Sequence, residues 1–319
     1  MSTPLHFEHN LAAAAEDAAS LGARRARLEA RAAMMSALRG WFASEGFLEV
    51  ESPVRLDCPA LEDYIDAVPS GSGFWLRTSP ELHLKRLLCS GYERIYEIGP
   101  CFRAGESGDH HRIEFTMLEW YRLQADWRVL MEDARGMILA AIDAAHPAGR
   151  VLPFRGHEID FGGKWQELTV AEAFERYGHC SLREAIGSGD FEEVLCTEVE
   201  PHLGLEAPLF LTEYPLECSG LSAELPGKPG FVARWELYAA GLELGNACTE
   251  LADPAEQERR FQATADLREA DRREVYPMDQ KYMNALWRGL PRTAGTAIGL
   301  DRLAMVLTDA GDIQQVKAF

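Results

Sequence analysis

Gly99-Pro-Cys-Phe-Arg-Ala-Gly-Glu-Ser-Gly-Asp-His-His-Arg-Ile-Glu-Phe-Thr-Met-Leu-Glu-Trp-Tyr-Arg122 reads as a strand, a polar loop and a returning strand. Side chains on a strand repeat every second residue, so Phe115, Met117, Glu119 and Tyr121 share one face. A carboxylate and a phenol two residues apart on an otherwise apolar face fit a pocket for a cation. Arg103, at the entrance to the loop, fits a clamp for a phosphate. The same residues also fit a surface hairpin in which Arg103 makes an ordinary ion pair, and this stretch alone leaves both readings open.

Upstream of the hairpin, Thr78-Ser-Pro-Glu-Leu-His-Leu-Lys-Arg-Leu-Leu88 signals a helix start, with Ser79 suited to the N-cap and Pro80 to the first helical position. Glu81 complements the helix dipole and needs no function on those grounds. Leu28, Met35, Leu38, Trp41 and Phe42 recur at helical spacing over about 23–44, followed by a strand over 47–53 that ends at proline. Downstream, a helix is expected over about 126–144 and short strands around 158–161. Residues 169–205 read as a helical, acidic insertion, and 209–215 as a strand. Residues 234–244 read as one strand running into Glu243-Leu-Gly-Asn-Ala-Cys-Thr-Glu250, where Glu243 and Glu250 bracket a glycine-containing bend. A long helix follows from Pro254 to about Glu274, then a shorter one over 279–289. Ala294-Gly-Thr-Ala-Ile-Gly-Leu-Asp-Arg302 is a glycine-punctuated junction from strand to helix.

The composition bounds the function. A chain of 319 residues, 47% hydrophobic and 26% charged, reads as soluble and globular with room for a sizeable core. No apolar run is long enough to span a membrane and no leader pattern is present. Seven dispersed cysteines without CxxC spacing predict reduced thiols in the cytoplasm and argue against a zinc site. A formal net charge of −19 disfavours a general nucleic-acid binder while allowing a local basic patch such as Arg24, Arg25, Arg27 and Arg31. Neither a Walker A loop nor GxGxxG occurs.

Two arginines and two carboxylates remain to be explained. Arg302 occupies the first turn of the last helix, where the dipole opposes a cation. Arg103 and Arg302 with Glu243 and Glu250 fit a nucleotide site in which carboxylates hold magnesium and arginines take phosphate charge. A scattered set of ion pairs accounts for them equally.

The ordered set resembles the three signature motifs of class II aminoacyl-tRNA synthetases. Residues 28–53 look like motif 1, the dimer element; 102–122 like motif 2; and 295–302 like motif 3. Within the class, Thr78-Ser-Pro-Glu-Leu82, Glu114-Phe-Thr-Met-Leu-Glu-Trp-Tyr121 and Glu243-Leu-Gly-Asn with Glu250-Leu251 are similar to the lysyl branch. The resemblance covers about residues 24–319 and implies an α+β class II catalytic domain, a central antiparallel sheet flanked by helices, behind an N-terminal lead of residues 1–23. No anticodon-binding domain is expected. The chain therefore resembles the elongation factor P–lysine ligase family, stand-alone paralogues of lysyl-tRNA synthetase. Ala297 agrees, since the tRNA-charging enzymes usually carry glycine there.

The resemblance implies a ligase that uses ATP and Mg2+ to activate lysine or (R)-β-lysine as an adenylate and transfers it to a lysine of elongation factor P. The implied enzyme is a cytoplasmic homodimer with no membrane partner, and tRNA is disfavoured as acceptor. Arg103 and Arg302 would grip the phosphates as the catalytic pair. Glu106, Arg112, Glu243, Leu244 and Gly299 complete the ATP site. Ser79, Pro80, Glu81, Glu119, Tyr121, Glu250 and Ala297 bind the amino acid, and Glu243 and Glu250 the metal. Departures from the family pattern fall at Gly105, where motif 2 usually has glutamate, at Arg112, usually asparagine, and at Gly245 and Ala247 in Glu243-Leu-Gly-Asn-Ala247; they bear on adenine recognition. The alternatives are an adenylate-forming ligase for another carrier or tRNA, an asparagine-synthetase-like amide former, and a catalytically inactive regulatory paralogue.

Overall fold

Met34, Leu38 and Phe42, each four residues apart, form the buried stripe of helix α1 (Arg25–Ser44). The computed structural model describes residues 18–319, of which 18–23 are also helical. The rest of the expected lead, residues 1–17, lies outside the described residues. Gly46, at φ +75°, turns the chain, and Phe47 packs edge-on against Phe42. The strand expected over 47–53 contracts to β1 (Leu48–Glu49), which pairs only with Ile95 and Tyr96. Past it the Val50 N–H still reaches the Tyr96 carbonyl, but the Ser52 N–H turns to the Glu97 side chain and Pro53 follows, so the ladder stops.

Two short strands, β2 (Arg55–Leu56) and β3 (Trp75–Leu76), form a ribbon that closes the 57–73 loop. Helix α2 (Glu81–Leu88) starts one residue later than its signal suggests, with Pro80 in the N-cap position. Ser79 nevertheless caps it, since its Oγ accepts the Glu81 N–H at 2.9 Å. The decisive hairpin is β4 (Arg94–Phe102) and β5 (Glu114–Leu123), in register from Arg94 opposite Arg122 to Phe102 opposite Glu114. Helix α3 (Trp127–Ala145) is capped by the Asp126 side chain. A separate hairpin, β6 (Val151–Phe154) and β7 (His157–Asp160), leads to β8 (Gln166–Thr169).

The insertion is helical, containing α4 (Val170–Tyr177), α5 (Leu182–Ser188) and α6 (Phe191–Val194). Capping boxes at Thr169/Glu172 and Ser181/Glu184 start the first two. Their apolar faces, including Phe174, Leu182 and Val194, make a small core against Leu211 and Tyr214 of β9 (Leu209–Pro215). The single strand read over 234–244 is in fact a hairpin, β10 (Phe231–Ala239) and β11 (Leu242–Thr249). Ala240 and Gly241 make the tight turn, both at positive φ, which is the geometry that matches strand twist. Glycine 245 is therefore in a strand and not a bend. A methyl there would overlap the Ala297 carbonyl of the neighbouring strand.

Helix α7 (Pro254–Ala270) ends short of the expected Glu274, because the chain reverses at Arg272 with φ +58°. Then come α8 (Gln280–Arg288), β12 (Thr293–Gly299) and α9 (Leu300–Leu307). The main sheet has eight strands in the order β1-β4-β5-β12-β11-β10-β9-β8. Its six central strands are antiparallel, as the sequence reading expects, but β1 and β8 run parallel to their neighbours, so the sheet is mixed. Helices α1, α3 and α9 bury one face against Leu118, Trp120, Trp235 and Ile298. The alternate residues form the other face: Glu97, Glu119 and Tyr121 with Ala297 and Asn246 in register across the strands. Helices α2 and α8 cover one end of it, packing Leu84 and Tyr282 near Tyr121.

Asp301 fastens the layers together. It is 1% exposed and accepts from Arg31 of α1 at 2.7 Å and from the Thr116 N–H of β5 at 2.9 Å. Lys317 approaches the same carboxylate at 3.4 Å. Replacing it removes the main partner of a half-buried guanidinium and strands a backbone donor, so Asp301→Ala is expected to cost about 2 kcal/mol in urea denaturation.

Candidate active site

The open face of the sheet carries two groups of polar side chains. The first surrounds a cavity of about 180 Å³ between the β4–β5 loop, β11 and the start of α9. Arg103 enters from the loop, with its guanidinium 5.2 Å from the centre of the Phe115 ring and 3.7 Å from Glu106. Gly105 sits at φ +79°, a conformation that would strain a glutamate, so the acidic residue comes one position later. Arg302 reaches the same cavity from α9. It donates to the Glu243 carbonyl at 2.8 Å and to its carboxylate at 3.1 Å. It also meets His111 Nε2 at 2.5 Å. Burial, reinforced by Arg302, lowers the His111 pKa, which keeps the ring neutral and able to accept that bond. These contacts hold a cation where the helix dipole opposes it.

Glu243 gains its place through a β-bulge. Gly245 faces Leu237 and Glu243 faces Tyr238, so Leu244 is an extra residue. Its side chain is 1% exposed in the core on the opposite face, and only its backbone is left to line the cavity. Gly299 also lines it; a methyl there would meet nothing closer than 3.8 Å, so the glycine opens space and does not relieve a clash. Arg112 is at the rim, where it donates to the Phe319 carbonyl at 2.9 Å.

The second group lies along the same face, beneath α2. Ser79 donates to Glu119 Oε1 at 2.6 Å and Tyr121 to Oε2 at 3.1 Å. Glu119 is 2% exposed and, among the described residues, has no cation within ion-pair distance; its neighbour Glu97 has the guanidinium of Arg77 instead. Burial pushes Glu119 up to about 8, and the nearby Glu81 adds to the shift. Ala297 is directly opposite Glu119 in the ladder. Glu81 and Glu250 are joined by Lys85, whose Nζ lies 2.6 Å from one and 2.5 Å from the other. The second contact is a short ion pair and not an aligned hydrogen bond. A methyl at Gly295 would overlap the Tyr121 ring and Glu250 Oε1, so the bare backbone lets these two side chains close over it.

The structure thus brings Arg103, Arg302, Glu106, Glu243 and Gly299 to one cavity, and Ser79, Glu81, Glu119, Tyr121 and Glu250 to a second cluster. Pro80 contributes only the helix start. Met117 opposite Gly299, Glu119 opposite Ala297 and Tyr121 opposite Gly295 are successive rungs, so the clusters are continuous on one face. Glu243 and Glu250 flank the length of β11, Glu243 paired with Arg302 and Glu250 with Lys85. Among the described residues no group of three or more histidine, cysteine or acidic side chains is placed to hold a metal.

Sequence reading missed Lys85, His111 and a carboxylate neighbourhood beside Glu243. There, Tyr238 donates to Glu236 at 2.7 Å with Glu200 3.0 Å from the same hydroxyl, and Arg234 pairs with Glu236 at 2.6 Å. Burial raises Glu200 to about 7, with Glu236 and Glu243 both contributing. The alternation Arg234, Glu236, Tyr238 on a strand was the available signal.

Comparison with known proteins gives the following. Residues 18–319 match the family of class II tRNA synthetases (D, K and N). The chain is 36% identical over 312 residues to a lysine–tRNA ligase of Magnetococcus marinus, covering 91% of this chain and 62% of that protein. It is 35% identical to one from Chloroflexus aurantiacus (93% and 65% covered) and 36% identical to one from Moorella thermoacetica (91% and 64% covered). The chain therefore spans less than two thirds of the length of these curated relatives.

Glu119 ties the site to stability. Above about pH 4.5 the unfolded chain loses this proton, while the folded chain keeps it until about pH 8, so stability falls as pH rises through that window. Glu119→Gln removes the decline. Denaturant titrations should show the variant gaining on wild type by on the order of 2–3 kcal/mol between about pH 6 and 8.5; Glu250 titrates in both proteins and cancels.

Proposed function

The chain belongs to the class II tRNA synthetases of the D, K and N group, and from that premise we propose that it activates a lysine-type amino acid with ATP and passes it to an amine on a lysine of elongation factor P. The observation that carries the first half is the pairing of Arg103 and Arg302 at one cavity, beside the Glu81, Glu119 and Glu250 set on the same sheet face. The phosphates lie in the cavity and the cationic amino acid beneath α2. Its carboxylate oxygen attacks the α-phosphorus, a bond to that phosphorus forms, the α–β bridging bond breaks and pyrophosphate leaves. A carboxylate is already an anion, so no general base is required. The residues align the reactants and offset charge on the phosphorus oxygens. Arginine suits this because it stays charged and offers a planar fork to phosphate oxygens.

Mg2+ is held in such sites by one or two carboxylates together with the phosphates. Glu243, which lines the cavity, fits that role, with Glu250 as the second carboxylate. Bound there, the ion would offset phosphate charge. In the second step the acceptor amine attacks the acyl carbonyl, a C–N bond forms, AMP leaves and the amine gives up a proton.

The choice of acceptor rests on the resemblance to elongation factor P–lysine ligases and on Ala297. Its position opposite Glu119 puts a methyl group on the amino-acid side of the site. A single methyl in a pocket discriminates close analogues by ~1–3 kcal/mol, enough to favour β-lysine over lysine. The similarity to lysine–tRNA ligases favours tRNA as a second reading. We further place a homodimer contact on α1 and the edge strand β1, where Leu48 is 51% exposed. The seven free cysteines fit a reducing cytoplasm; no described helix is long and apolar enough to cross a membrane.

Incubating elongation factor P with the protein, Mg-ATP and lysine or (R)-β-lysine should add one acyl group to one lysine, read by intact-mass and peptide mass spectrometry. Charged tRNA with unmodified factor would establish the second reading instead. Arg302→Ala should lower ATP–pyrophosphate exchange by about 10²–10³-fold.

A further inference from the structure

Lys85 has no place in the activation chemistry, yet its side chain is 0% exposed and lies between two carboxylates of the amino-acid pocket. One turn of α2 brings it to Glu81, and the packing of that helix over the sheet brings it to Glu250. Its remaining titratable neighbours, Tyr282 of α8 and Cys248 of β11, are both pushed up by burial and stay neutral. Burial opposes a charge on Lys85, but Glu250 and Glu81 outweigh it and the ammonium stays protonated.

The pocket holds three carboxylates, Glu81, Glu119 and Glu250. Resting on the amino-acid activation proposed above, we infer that Lys85 is a positioning residue that sets substrate specificity: it ties Glu81 to Glu250 and so fixes the spacing of the carboxyl acceptors that face an amino acid with two amino groups. The tie works geometrically. A single ammonium 2.6 Å from one carboxylate and 2.5 Å from the other keeps those two oxygens from drifting apart. It also leaves Glu250 Oε1 turned toward Tyr121 over Gly295, and Glu81 still partly exposed to the pocket. Glu119 completes the acceptor set with no protein cation of its own. A substrate with one amino group leaves a buried carboxylate uncompensated, while one with two amines at the wrong separation reaches only one acceptor.

The test uses the full chain in ATP–pyrophosphate exchange with ornithine, lysine and 3,6-diaminohexanoate, which differ in the distance between their amines. Wild type should prefer one of them sharply. Lys85→Met should raise KM for that substrate by about 10-fold or more while kcat changes by less than about 3-fold, and should flatten the preference among the three. Lys85→Gln, which keeps a donor but lacks the charge, should behave in the same way and replaces Lys85→Met if the latter does not fold. Unchanged ratios among the three substrates, or an equal loss on all of them carried by kcat, would overturn the role of Lys85 while leaving the activation reading intact. No exchange by wild type with any diamino acid would overturn both.

Discussion

The geometry of the site depends on the carboxylate of Asp301. It takes a guanidinium from α1, a backbone N–H from β5 and the approach of Lys317, and it does so from the first turn of α9. Three segments distant in sequence are fixed to one another by a group that is buried and fully engaged. Its neighbour in the chain is Arg302, so whatever holds Asp301 also aims the arginine into the cavity. The dipole of α9 favours the acid and opposes the base. The adjacent pair therefore lets the helix start carry a functional cation whose local cost is offset one residue earlier.

Parts of this arrangement were legible in the residues alone. The alternation of Phe115, Met117, Glu119 and Tyr121 predicts one shared face, and the ladder places them so, because a strand that is buried on both sides has no freedom to slip. Arg302 stood out because helix statistics disfavour it at that position. Asp301 and Lys85 were silent for the opposite reason. An acid in a first helical turn is ordinary, and Glu81 with Lys85 reads as a common surface pair at i, i+4. Only the approach of Glu250 from another strand turns that pair into a buried triad. The bulge at Leu244 was legible only as a glycine-containing bend, since Gly245 marks the irregularity without telling a bulge from a turn, and the Ala240–Gly241 turn was absorbed into a continuous strand by the apolar residues on both sides.

The two halves of the face are solvated differently, and the difference follows from the chemistry each can support. The arginine side chains keep a quarter or a fifth of their surface exposed, 25% for Arg103 and 18% for Arg302. Guanidinium charge does not depend on burial, so these groups can wait in partial contact with water and still meet a phosphate fully charged. Two carboxylates of the amine end, Glu119 and Glu250, are withdrawn almost completely, and their charge is therefore conditional. Burial pushes Glu119 up to about 8 and Glu250 up to about 7, Lys85 partly offsetting the rise at Glu250. In a low-dielectric setting an ammonium that fits is worth far more than it would be in water, and one that does not fit leaves an unmatched charge that costs about as much. Selectivity is thus concentrated at the dry end of the sheet face, and phosphate binding at the wet end, by the same eight-stranded scaffold.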